Sequence, residues 1–262
     1  VRSRRQRQMC IRDSSCMVIL RDVVVLGSDD GMTQLYALHL PNPHLETRAA
    51  LPGHTAGVLC CAASSTWSIA VTGSADHSVI VWDLNRCRFV RQLKEPDQPI
   101  QLVAIDDQRG WIAAAAGSEV WVWSINGFLL VHQSTRSATN DPPSSMIFVA
   151  RDFHVGKLGV LVTGHRDCIV LWDIVSNHAR ATPPRWRLEK NTVLSLRQSS
   201  KVTCLYMPNT STLCTGHEDG EVYVWTLPGA ATLPKAPQEQ CIGQCDHRFG
   251  FLDVKRACQG LS

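Results

Sequence analysis

Gly53-His54, Val58-Leu59-Cys60-Cys61-Ala62-Ala63, Ile69-Ala70-Val71-Thr72, Gly73-Ser74-Ala75-Asp76 and Ser78-Val79-Ile80-Val81-Trp82-Asp83 follow one another within residues 53–83. Three short apolar runs separated by turn residues read as three β-strands. The runs are almost continuously apolar, which suits strands covered on both faces by neighbours. The unit closes on Trp82, six residues after Asp76.

The same closing pattern occurs five times. Gly27-Ser28-Asp29-Asp30-Gly31 precedes Tyr36, and Gly73-Ser74-Ala75-Asp76 precedes Trp82. Gly117-Ser118-Glu119 precedes Trp123, Gly164-His165-Arg166-Asp167 precedes Trp172, and Gly216-His217-Glu218-Asp219-Gly220 precedes Trp225. The closing aromatics are 46, 41, 49 and 53 residues apart. A repeat of this length, built from short strands and tight turns, predicts the blades of a β-propeller. The fold class expected is therefore all-β, with about five recognisable blades and an incomplete propeller. Sheets missing a neighbour expose edges and core, so the chain alone is expected to form an open arc of blades.

The 262 residues suffice for a sizeable core, and 44% hydrophobic with 19% charged residues describes an ordinary globular chain. The net charge of +3 comes largely from Arg2, Arg4, Arg5, Arg7 and Arg12; the remainder is slightly acidic. The basic balance is thus no argument for nucleic acid, and none is expected as a partner. Residues 1–15 read as a basic leader, disordered or non-native, and the Val1 start reads as that of a fragment. No apolar run has the length of a signal-peptide core or a membrane-spanning helix. Eleven cysteines, odd in number and irregular in spacing, predict no disulfide framework. Cys60, Cys61, Cys204 and Cys214 fall in apolar strand patterns as small hydrophobes, which predicts a reducing, cytoplasmic setting.

The Gly-His opening and the Trp-Asp ending resemble a WD40 repeat. That resemblance implies a hydrogen-bonded chain through a loop His, a strand Thr, a turn Asp and the Trp indole: His54, Thr72, Asp76 and Trp82 here. Buried carboxylates and indole N–H groups must be paired, so such a chain rigidifies one conformation. The fourth repeat keeps Thr163, Asp167 and Trp172, and the fifth keeps Thr215, Asp219 and Trp225. Neither opens on Gly-His, so both are expected to lack the network histidine, with His165 and His217 in a different position. The third repeat has no turn Asp, and the first keeps only its turn. The second blade is therefore expected to be the firmest.

Trp123-Ser124-Ile125-Asn126-Gly127-Phe128-Leu129-Leu130 resembles a stretch of the propellers that follow BEACH domains. Those proteins are large cytosolic scaffolds of vesicle traffic, lysosome biology and selective autophagy, and the BEACH domain would lie upstream of Val1. After a Pro/Ala-rich stretch, Cys241, Cys245, His247 and Cys258 resemble the opening of a FYVE zinc finger, degenerate or truncated. The resemblance implies Zn2+ on those four residues; the spacing departs from the family's, with three residues rather than two inside the first pair. The expected domains are the leader 1–15, propeller blades 16–227, a linker 228–240 and a Cys-containing tail 241–262.

Residues 182–199 read as a long connection. Arg185, Trp186 and Arg187 make it the candidate partner-facing loop, the alternative being that Trp186 packs on a blade edge. No P-loop, Gly-x-Ser-x-Gly elbow or His-Glu-x-x-His is present, so no catalytic residues and no enzyme are expected. The function expected is a protein-interaction scaffold, the WD40 fragment of a BEACH-type trafficking, autophagy or lysosome protein. The alternative is a WD40 adaptor such as a ubiquitin-ligase substrate receptor or assembly subunit. Other proteins are the expected partners. Membrane contact is expected only indirectly or through an intact FYVE-like finger, with the protein cytoplasmic and peripheral to endosomal or autophagic membranes.

Overall fold

The computed structural model describes residues 14–137, 141–149, 157–176, 186–196, 200–209, 212–227 and 238–244. It forms five four-stranded antiparallel sheets, each with its strands in chain order. The first blade is β1 (Ser14–Leu20), β2 (Val23–Ser28), β3 (Thr33–His39) and β4 (His44–Leu51). The second is β5 (Val58–Ser64), β6 (Ile69–Ser74), β7 (Val79–Asp83) and β8 (Arg88–Leu93). The third is β9 (Leu102–Ile105), β10 (Ile112–Ala116), β11 (Glu119–Trp123) and β12 (Leu129–Ser134). The fourth is β13 (Ser145–Val149), β14 (Lys157–Gly164), β15 (Cys168–Ser176) and β16 (Trp186–Ser195). The fifth is β17 (Val202–Asn209), β18 (Thr212–His217), β19 (Glu221–Thr226) and β20 (Gln238–Gln244). Two compact units divide the chain, residues 1–129 and 130–262.

The core lies between blades, because each middle strand is apolar on both faces. In the first unit, Val23, Val25 and Leu35 of blade one meet Ala70, Ile80, Trp82 and Leu84 of blade two. Val71, Val79 and Val81 then meet Ile112, Ala114, Trp121 and Trp123 of blade three. In the second unit, Val160, Val162, Ile169 and Leu171 meet Leu205, Leu213 and Trp225. β2 and β6 are buried along their whole length, while the outer β8 begins with three exposed residues. A β-bulge falls just before the closing aromatic at Leu35/Tyr36, Val81/Trp82 and Leu171/Trp172, where it re-aims the large ring.

The glycines read as turn residues have another task. Gly73 lies inside β6, paired with Cys60 and Val79, and Gly164 ends β14. A Cβ at Gly73 would stand 2.5 Å from Ile100 Cγ2, and one at Gly164 would stand 2.7 Å from Val202 Cγ1. Each glycine is the hollow that receives the β-branched residue opening the next blade. Gly73→Ala is expected to destabilise the first unit by about 1–3 kcal/mol through overpacking, read as a lowered urea midpoint.

Two boundary expectations need correction. Gln238–Gln244, placed in a linker and tail, is the fourth strand of blade five and pairs with β19. The edge of β19 needs a hydrogen-bonding partner, and this segment supplies it despite the Pro-rich sequence before it. Residues 186–195, read as part of a long connection, form β16 along the edge of β15 for the same reason. The leader falls outside the described residues apart from its last two, Ser14 and Ser15, which open β1. Among the described residues no helix is long and apolar enough to cross a membrane.

Candidate functional site

The residues singled out by sequence meet in buried networks inside the blades. In blade two the loop before β5 carries His54 onto the hydroxyl of Thr72 in β6. His54 Nε2 is 2.8 Å from Thr72 Oγ1, and Nδ1 is 3.0 Å from Asp76 Oδ2. The Trp82 indole N–H donates to Thr72 Oγ1 at 2.9 Å. Asp76 accepts further bonds from the Thr55 amide, the Ser78 amide and the Ser78 hydroxyl. The carboxylate can only accept, so His54 Nδ1 carries the proton and Nε2 accepts from Thr72. Burial lowers the His54 pKa below its ordinary value, against the pull of Asp76, so the imidazole is neutral at pH 7. Burial opposes ionisation of Asp76, but its bonds from Ser78 and Thr55 and the His54 contact hold its carboxyl below the usual range.

Blades four and five contain the histidine that their openings lack. Thr163 Oγ1 lies 2.9 Å from His165 Nε2, and Thr215 Oγ1 lies 2.8 Å from His217 Nε2. The indoles of Trp172 and Trp225 donate to those same hydroxyls at 2.8 and 3.2 Å. Residues i and i+2 of a strand share a face, so Thr-Gly-His puts an imidazole beside the hydroxyl without a loop. The expectation that these blades lack the network histidine is therefore corrected. The signal was present as Thr163-Gly164-His165 and Thr215-Gly216-His217, against Thr72-Gly73-Ser74 in blade two.

The turn aspartates follow from this. His165 Nδ1 donates to the Asp141 carbonyl at 2.9 Å. Asp219 Oδ1 accepts the Glu221 amide within its own turn at 3.0 Å. The buried Nδ1 of His217 makes no hydrogen bond among the described residues. Burial lowers the pKa of both histidines.

Blade three has a different solution that sequence reading missed. Ala114 stands where Thr72 stands in blade two, since Ala114 pairs with Trp121 as Thr72 pairs with Ile80. The Trp123 indole donates instead to Glu95 Oε2, 3.1 Å away, from the loop after β8. In blade one, Tyr36 bonds Gln34 of its own strand. The threonines at the centres of these networks are enclosed: Thr72, Thr163 and Thr215 are each 0% exposed. The hydroxyls are held between an indole and an imidazole, where they bind the third strand of a blade to its second.

The other candidates separate. Trp186 is half-buried and pairs with Ser176, and Arg187 is exposed and ion-paired with Glu189 on the same strand. Arg185 lies outside the described residues, as do Cys245, His247 and Cys258. Cys241 lies in β20 opposite Tyr223. Among the described residues no group of three or more His, Cys, Asp or Glu is placed to hold a metal. Cys16, Cys60, Cys61, Cys87, Cys168 and Cys204 are free, whereas Cys214 is disulfide-bonded, contrary to the expectation of a free thiol there. Spacing along the chain does not reveal which sulfurs a fold brings together.

Four-stranded blades closed by an indole on a buried threonine define a WD40-type propeller protein. The family model "WD domain, G-beta repeat" matches residues 45–83 and 190–226. Each matched segment begins in the fourth strand of one blade and ends in the third strand of the next. The chain is 29% identical over 231 residues to Protein SPIRRIG of Arabidopsis thaliana, covering 79% of this chain and 6% of that protein. It is 28% identical over 242 residues to BEACH domain-containing protein A2 of the same plant, covering 82% and 7%. It is 27% identical over 189 residues to the human Lysosomal-trafficking regulator, covering 69% and 5%. The chain thus carries WD40 repeats similar to those of BEACH-domain proteins, and spans less than a tenth of those relatives' length.

Proposed function

We propose that this chain is a protein-docking module of a BEACH-type trafficking scaffold. One observation carries the reading: the likeness to BEACH-domain proteins runs through about four-fifths of the chain. The buried networks agree with it. The histidines, threonines and aspartates that could suggest catalysis are used to hold strands together, which leaves loops and outer strands as the working surface. The module binds other proteins rather than transforming a substrate. It works in the cytoplasm at the periphery of endosomal or autophagic membranes, reaching them through partners or through a neighbouring lipid-binding domain.

Proximity labelling tests this. The chain is fused to a promiscuous biotin ligase and compared in cells with an unrelated propeller of similar size. Enrichment of endosomal, lysosomal or autophagic proteins over the control is expected. Enrichment of ubiquitin-ligase subunits or of chromatin or RNA assemblies would replace this reading with that of a general WD40 adaptor.

A further inference from the structure

Two free cysteines from different blades meet in the first unit. Cys16 lies in β1 opposite Gly27, and Cys61 lies in β5 opposite Thr72. β1 packs against β5, where the Ser15 hydroxyl donates to the Val58 carbonyl. Cys16 Sγ and Val58 Cγ1 lie 2.6 and 2.5 Å from the point a Cβ on Gly27 would occupy, so Cys16 is directed across the blade boundary. Cys60 turns its thiol to the Ile100 carbonyl on the far side, so Cys61, one residue along β5, is directed back at blade one, where its thiol interacts with that of Cys16. Both residues are only partly buried.

The next boundary in the unit repeats this geometry without the second sulfur. Cys60 faces Gly73 as Cys16 faces Gly27, and its thiol donates to the Ile100 carbonyl of the following segment at 3.5 Å. The residue of blade three in the register position of Cys61 is Val103, opposite Ala114. A thiol on both sides is thus a feature of the first boundary.

We propose that Cys16 and Cys61 form a reversible oxidation site that takes a hydroperoxide and closes into a disulfide between the first two blades. The hydrogen bond from Cys61 holds the Cys16 thiol below its ordinary pKa despite burial, and the same bond with burial pushes Cys61 up. Cys16 is therefore the attacking thiolate and Cys61 the resolving thiol. The Cys16 sulfur attacks a peroxide oxygen, the O–O bond breaks, and with a solvent proton one water leaves and a sulfenic acid remains. The Cys61 sulfur then attacks the sulfenic sulfur. The S–O bond breaks, the S–S bond forms, and the Cys61 proton leaves with the hydroxyl as a second water. Two thiols and one hydrogen peroxide become one disulfide and two waters, a two-electron oxidation that a dithiol reductant reverses. The link ties β1 to β5 and thereby holds blade one against the blade with the fullest hydrogen-bond network.

The full chain is treated with hydrogen peroxide, quenched by alkylation and mapped by mass spectrometry without reduction. The expected result is a linked peptide joining Cys16 to Cys61, loss of both thiols in parallel, and recovery of both with dithiothreitol. Cys60→Ser keeps the link, while Cys16→Ser and Cys61→Ser each abolish it. Oxidation is also expected to raise the thermal midpoint of the first unit in the parent chain and in Cys60→Ser, but in neither of the other two variants. Three results would overturn the proposal: Cys16 and Cys61 staying as alkylatable as Cys87, Cys16 linking to Cys60, or Cys16 over-oxidising to sulfinic acid with no linked peptide.

Discussion

Asp76→Ala is expected to destabilise the first unit by about 3 kcal/mol, whereas Asp167→Ala and Asp219→Ala each cost the second unit about 1 kcal/mol or less. The three aspartates occupy the same place in the repeat, and sequence treats them alike. The Asp76 side chain is 6% exposed and faces a fully buried His54. Removing it takes the acceptor from the Thr55 and Ser78 amides and leaves His54 Nδ1 with only the Ser78 hydroxyl, 3.3 Å away. Buried donors left without acceptors carry their whole desolvation penalty. In blade four the corresponding imidazole is held by the Asp141 carbonyl, which a side-chain replacement leaves in place. In blade five Asp219 accepts the Glu221 amide of its own turn and, among the described residues, makes no hydrogen bond to His217, acting on it only through its charge. Native-state hydrogen exchange separates the blades: β5–β7 should lose protection in Asp76→Ala, while β14–β15 and β18–β19 hardly change in the other two. Equal losses in all three would mean that the aspartates do share one role.

Acid is expected to weaken the fold through its histidines before it reaches the carboxylates. His54, His165 and His217 are buried with folded-state pKa values below the ordinary one near 6.5, chiefly because of burial. Asp76 opposes that shift at His54, Asp141 at His165, and the Ser200 backbone, then Asp219 and Glu221, at His217. In each case the folded state binds fewer protons than the unfolded chain below that pH. Stability is then full above about pH 6.5 and falls as the pH drops, by up to about 1.4 kcal/mol per pH unit for each histidine that stays neutral. Three such groups give a limiting slope of about 4 kcal/mol per pH unit. Asp76 has its carboxyl lowered, so its contribution is complete above its ordinary range and is lost at lower pH, outside the histidine window. Urea midpoints measured from about pH 8 to pH 5 give the slope, and His165→Gln with His217→Gln should remove about two-thirds of it. A flat profile would show that the imidazoles protonate in place without cost.

Much of this was legible beforehand because it depends on local pattern. Strand-length apolar runs, a period near that of one blade and a closing aromatic located all five sheets. The tetrad His54, Thr72, Asp76 and Trp82 could be named because each member sits at a recognisable place in its own repeat. β16 and β20 were missed because outer strands contribute few core residues. Their sequences, with Pro183-Pro184 before one and Pro234 and Pro237 before the other, resemble connections. Backbone pairing to an open edge, rather than apolar periodicity, makes them strands.

The chain's residues by themselves determined that it builds propeller blades, since near-continuous apolar runs closed by an aromatic at a blade-length period leave few other arrangements, and the Gly53-His54 and Trp82-Asp83 pairs marked their resemblance to WD40 repeats. Only the tertiary structure decided how each blade satisfies its buried indole. The indoles of blades two, four and five donate to a threonine backed by a histidine, from a loop in blade two and from two residues along the chain in blades four and five, and that of blade three donates to a glutamate from the preceding connection. The structure also decided that Gly73 and Gly164 receive a neighbour's side chain rather than form a turn, and that Cys16 meets Cys61. The reason is the same in every case. Strand formation is set by contacts between near neighbours in sequence, whereas the partner of a buried polar atom, a hollow or a thiol is set by what the adjacent blade brings to it.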